Sequence, residues 1–126
     1  MYLDDDDTTT IAGTLTGEAV LNSTAEAHGI RPGALRLLLG LWVLTRAGRR
    51  AARGPALFGL GVCTACRARG YLVHLDEAGA IQRERATATG PAFIHLTDSG
   101  AAVVQAYLLA AGRAKRATAR KLREKA

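Results

Sequence analysis

The sequence predicts a mainly α-helical domain that carries one small β-hairpin. Three observations predict it. The leucine-rich run 34–44 is apolar almost all round, as a central helix covered on most sides must be. Segments 81–87 and 92–96 flank the turn residues Thr89, Gly90 and Pro91, the pattern of two strands and a turn. From about Ala101 onward, apolar residues recur at helical spacing towards a strongly basic end.

The 126 residues are the size of one domain. At 48% hydrophobic the chain can bury a core, and with 5% aromatics Leu, Val and Ala must fill it. A core this small gains stability from association. Residues 1–16 are polar, carry Asp4 to Asp7 and show no periodicity, so they are expected to form a flexible acidic leader, with 11–15 as a candidate short strand. Residues 17–126 form the domain.

Each element has its own signal. Ala19, Val20, Ala25 and Ala27 fit a helix over 17–28, which Gly29 ends. Pro32 suits the first turn of the next helix, where its missing N–H would have no partner. Trp42 is read as core. Residues 47–54, rich in Arg and Gly, form a connection, and Pro55 opens a short helix over 56–60, closed by Gly61. Thr64 caps a longer helix over 65–78, with Ala68, Leu72 and Leu75 on its buried stripe. Gly70 inside it costs about 1 kcal/mol relative to Ala, so this helix needs tertiary support. Gly79 stops it, the hairpin follows, and Thr97 or Asp98 caps the last helix. Val104, Leu108 and Leu122 fall on one side of that helix as an association face.

A short helix, a turn containing Gly and a longer helix make a helix-turn-helix, and the hairpin after it is a wing. The expected fold is therefore a winged helix-turn-helix. Its second helix can enter the major groove of duplex DNA. A net charge of +6 and a sequence pI near 10.0 suit that polyanion. The charge is uneven. Arg46, Arg49, Arg50, Arg53, Arg67 and Arg69 crowd the middle, and seven Lys or Arg lie within 113–125.

Leu75, Gly79, Ile81 and Arg83, followed by Phe93-Ile-His-Leu96-Thr97-Asp-Ser-Gly100, resemble the wing signature of MarR-type regulators. His28-Gly29-Ile30-Arg31-Pro32 resembles the link between that family's first two helices. PadR-like regulators share the leucine-rich helix and the wing. The chain departs from the MarR pattern at the wing tip, which reads Ala88-Thr89-Gly90. The resemblance runs from about Gly17 onward and implies a dimeric transcriptional regulator, a repressor by expectation, whose terminal helices pair two chains on a pseudo-palindromic site.

The residues expected to touch DNA are Thr64, Ala65, Arg67, Arg69 and Gly70 on the recognition helix, and Arg83 and Arg85 on the wing. Arginine can donate two hydrogen bonds to guanine O6 and N7. Arg83 and Arg85 alternate with Gln82 and Glu84, so they share one face of a strand. For Arg67 and Arg69 the plain alternative is solvation or pairing with Asp76 or Glu77. Cys63 and Cys66 are read first as small packing residues. A helix start beside Arg67 would lower a thiol pKa, so an oxidation switch is an alternative. Four-ligand zinc is disfavoured, because His74 sits two helical turns beyond Cys66.

No catalytic set, phosphate loop or cofactor motif emerges, and an enzyme is not expected. The four Asp near the start are the reverse of a signal peptide, and 34–44 is too short to span a bilayer. A cytoplasmic protein is expected, with double-stranded DNA and a second copy of the chain as partners; the residues leave a small-molecule effector open. Two other classes stay in view: a non-specific architectural or plasmid/phage maintenance DNA protein, favoured by the basic tail, and a thiol redox protein built on Cys63 and Cys66.

Overall fold

The computed structural model describes residues 5–46, 65–85 and 92–124. The expected connection over 47–54, the short helix over 56–60, Cys63, Thr64 and the wing tip lie outside the described residues. Within them the order is α1 (Asp5–Ala27), α2 (Pro32–Arg46), α3 (Ala65–Glu77), β1 (Ile81–Arg85), β2 (Ala92–Leu96) and α4 (Asp98–Glu124). The strands pair antiparallel, from Ile81 opposite Leu96 to Arg85 opposite Ala92.

Helix α2 is the hub. It touches α1, α3, β2 and α4, which is why its apolar residues run round the whole helix. Leu35, Leu37, Leu38 and Leu41 are all fully buried. Leu75 from α3, Ile81 and Ile94 from the hairpin and Val104 from α4 complete the core. Trp42 is only partly buried, packs against this core and carries the Arg46 guanidinium 4.5 Å from its ring centroid.

Helices α1 and α3 end in the same way. Gly29 (φ 68°) and Gly79 (φ 76°) adopt the left-handed conformation that glycine takes without a Cβ penalty. After α1, Ile30 N–H reaches Ala25 O (3.0 Å) and Gly29 N–H reaches Glu26 O (3.2 Å). After α3, Ala80 N–H reaches Leu75 O (2.9 Å) and Gly79 N–H reaches Asp76 O (3.1 Å). Both are Schellman motifs, and the residue past each glycine is buried with the carbonyl owner three from the end, Ile30 with Ala25 and Ala80 with Leu75.

The N-terminal region differs from expectation. Residues 5–16, read as a leader with a candidate strand at 11–15, belong to α1, which starts at Asp5 instead of near Gly17. Asp5 to Asp7 lie in its first turn, where the helix dipole favours negative charge. Gly13 and Gly17 weaken the helix from inside. Its order therefore comes from α4, along which it packs, with Thr16 and Thr118 hydroxyls 3.2 Å apart. A helix held by a partner distant in sequence leaves little local periodicity to detect.

Helix α4 begins three residues earlier than expected, because Thr97 caps it. The Thr97 hydroxyl accepts Gly100 N–H (3.1 Å) and donates to Gly79 O (2.6 Å), while Thr97 N–H reaches Ala80 O (3.1 Å). A Cβ on Gly100 would collide with the Ala80 carbonyl. The Leu-Thr-x-x-Gly sequence thus clasps the turn between α3 and the hairpin: threonine binds both sides, and glycine allows the close approach.

Candidate nucleic-acid interface

Helix α3 buries Ala68 and Leu75 and half-buries Tyr71 and Leu72. These four lie along one stripe, so the opposite side carries Gly70, Val73 and Glu77. Arg67 falls on one flank of the outward side, with His74. Arg69 falls on the other, with Asp76. Both arginines are exposed, and neither forms an ion pair among the described residues. A Cβ on Gly70 would meet nothing within 4 Å, so internal packing does not demand glycine there. Ala65 lies in the first turn of α3.

The wing stands on the Arg69 side. Its inner face carries Ile81 and Arg83 on β1 with Leu96 and Ile94 opposite, and Arg85 pairs with Ala92 in the register. Ile81 and Ile94 are buried at its root. Arg83 reaches back to α3 and donates to Asp76 Oδ2 from Nε (3.2 Å) and one Nη (3.0 Å). The sequence suggested Asp76 as a partner for Arg67 or Arg69; Arg83 takes it instead. The outer wing face carries Gln82, Glu84, Phe93 and His95, with His95 Nε2 and Glu84 Oε2 3.0 Å apart.

These placements leave Arg67, Arg69 and Gly70 exposed in the first half of α3, and put Asp76 and Glu77 at its far end. Residues at the start of a recognition helix are the ones that reach base edges. Sequence reading missed two neighbours of that face. Val73 is exposed on its midline, where an apolar side chain suits a thymine methyl. Arg31, at the mouth of α2, shares a cleft with Arg67, Gly70 and Tyr71. An arginine next to a proline gave no periodic signal.

At the other end of the molecule, Val104 is fully buried in the chain's own core, so it is not part of a free association face. The exposed large apolar residues there are Leu108 and Leu109 on α4 and Ile11 and Leu15 on α1, with Leu15 65% and Leu109 63% exposed. Between the helices lies a cavity of about 370 Å³ lined by Gly13, Thr16, Gly17, Tyr107, Ala111 and Lys115, among others. Among the described residues, no helix is long and apolar enough to cross a membrane.

No protein-family model and no curated protein matches the chain by sequence. Solved structures do match. A MarR-family transcriptional regulator from Silicibacter pomeroyi aligns over 87% of this chain and 68% of its own, with a TM-score of 0.63 and 19% identity. A point mutant of MepR from a multidrug-resistant S. aureus clinical isolate aligns over 96% of this chain and 85% of its own, with a TM-score of 0.62 and 15% identity. At such identities the likeness is one of fold, and it includes the four described helices and the antiparallel hairpin. This chain has the MarR-like winged-helix fold.

Proposed function

We propose that the protein is a double-stranded DNA-binding transcriptional regulator that acts as a dimer. The observation that carries this reading is the uncovered basic start of α3, with Arg67, Arg69 and Gly70 exposed beside a hairpin that bears Arg83 and Arg85. In this reading α3 lies in the major groove and the wing follows the backbone; Thr64, expected to contact DNA beside Ala65, lies outside the described residues. The fold shared with two transcriptional regulators supports it.

The exposed Ile11, Leu15, Leu108 and Leu109 support the dimer, because a face of large apolar side chains is stabilised by a matching copy. Two α3 helices about one DNA turn apart would then read a pseudo-palindrome. A dimer seated across a promoter blocks access to it, so repression is the expected outcome, and the protein works in the cytoplasm beside the DNA.

Selection of bound sequences from random duplexes, followed by footprinting, tests the reading. One enriched site protected over a short span supports it. Uniform protection would indicate an architectural DNA protein instead.

A further inference from the structure

Two arginines from different helices share the cleft on the Arg67 flank of α3. Arg31 immediately precedes α2, and Arg67 lies in the first turn of α3; with Gly70 and Tyr71 they line a space of about 290 Å³. Neither guanidinium forms an ion pair among the described residues. The described ion pairs engage Arg36 with Glu18, Arg83 with Asp76 and His95 with Glu84, so Arg31 and Arg67, like Arg69 on the other flank, are left uncompensated among the described residues.

The cleft is held in shape. Arg31 N–H donates to His74 Nε2 (3.3 Å), which ties the start of α2 to α3 one turn beyond Tyr71. The Tyr71 ring lies where a Cβ on Gly33 would stand, so glycine lets the two helices close. The Tyr71 hydroxyl has no hydrogen-bond partner among the described residues and is free to donate. Gly70 leaves the floor open.

Two unpaired guanidiniums and a free hydroxyl, with no side chain at Gly70 to obstruct them, suit a tetrahedral oxyanion. We infer that this cleft is a phosphate clamp, in which Arg31 and Arg67 hold one DNA backbone phosphodiester beside the groove that α3 enters. The inference rests on the DNA-binding reading and refines it. Arg67 grips the backbone on one flank, and Arg69, on the opposite flank, is left to read bases. Phosphate contacts fix register and carry no sequence information directly.

The test compares Arg31→Ala, Arg67→Ala and Arg69→Ala with the wild-type protein on its selected site and on random duplex, across a salt series. The Arg31 backbone bond to His74 survives in Arg31→Ala, so the melting temperature should not move. Arg31→Ala is expected to lower the log–log salt slope by about 0.9 per bound chain, because each lost phosphate contact keeps its counterions condensed. It should weaken both duplexes by the same factor and leave base preference unchanged, and Arg31→Lys should restore most of the slope. Arg67→Ala should behave like Arg31→Ala, and Arg69→Ala should relax base preference. An unchanged slope in Arg31→Ala, with normal binding by the wild type, overturns the clamp and leaves DNA binding standing. Binding of inorganic phosphate that Arg31→Ala abolishes, with no change in the DNA slope, would make the cleft a free-anion site and also overturn it. A wild-type protein that binds no duplex overturns the DNA reading, and the clamp with it.

Discussion

Arg83 on the wing grips Asp76 on the last turn of α3 through two nitrogens, Nε at 3.2 Å and one Nη at 3.0 Å. The contact ties the wing to the recognition helix at the end away from the Arg31 cleft. It also pairs an acidic charge on the wing-side flank of α3.

That pair is 38% exposed at Arg83 and 41% at Asp76, so solvent screens it. Arg83→Ala or Asp76→Asn should change stability by only about 0–1 kcal/mol in urea denaturation. The effect on DNA should be larger. Arg83→Ala is expected to weaken the selected duplex several-fold, and Asp76→Asn should weaken it too by freeing the wing from its fixed angle. If Asp76→Asn tightened binding, Arg83 would be better used free than tethered, and the positioning role would fail.

The clasp between α4 and the α3–β1 turn makes a sharper stability prediction. Gly100→Ala forces a methyl against the Ala80 carbonyl and should cost about 1–3 kcal/mol, the range for overpacking a rigid site. Thr97→Ala removes the cap and should cost about 1 kcal/mol. Gly70→Ala meets nothing within 4 Å and gains helix propensity, so it should stabilise the free protein by about 0.5–1 kcal/mol. Chemical denaturation of the three variants side by side checks the order. Equal losses in all three would contradict the steric account.

Association should depend on both terminal helices. Leu15→Glu and Leu109→Glu, each on an exposed apolar residue, should convert a dimer into a monomer by light scattering at micromolar concentration. Val104→Ala should instead lower stability by about 1–3 kcal/mol, since that side chain is buried within one chain. A Leu15→Glu protein that stayed dimeric would remove α1 from the association face.

The basic end of α4 offers a further test. Arg116, Arg120 and Arg123 are exposed along one face of the helix. Reversing the charge of Arg116, Arg120 and Lys121 to Glu, in a protein that remains dimeric, should reduce the salt slope by no more than one or two contacts per chain, because a helix presents only part of its circumference to DNA. An unchanged slope would leave these cations as a solvated helix end.

The sequence by itself determined the elements whose signal is local. A run apolar on every face could only be a central helix, so α2 was legible. Glycines at 29 and 79 marked helix ends because left-handed backbone favours glycine, and the strand over Ala92–Leu96 followed from its bounding turn. Thr97 and Gly100 were recognisable as a motif, but its reason, contact with Gly79 and Ala80 across the hairpin, exists only in the folded chain. Tertiary structure alone decided three further matters. It ordered residues 5–16 as part of α1, a helix that packs along α4. It gave Asp76 to Arg83 rather than to the arginines of its own helix, because the wing folds back along that flank. It also brought Arg31 beside Arg67, residues 36 positions apart, because Gly33 lets α2 close on Tyr71. Propensity and periodicity act over a few residues, whereas charge pairing and helix contact act through space. A basic face assembled from three separate segments therefore becomes visible only when the chain is folded.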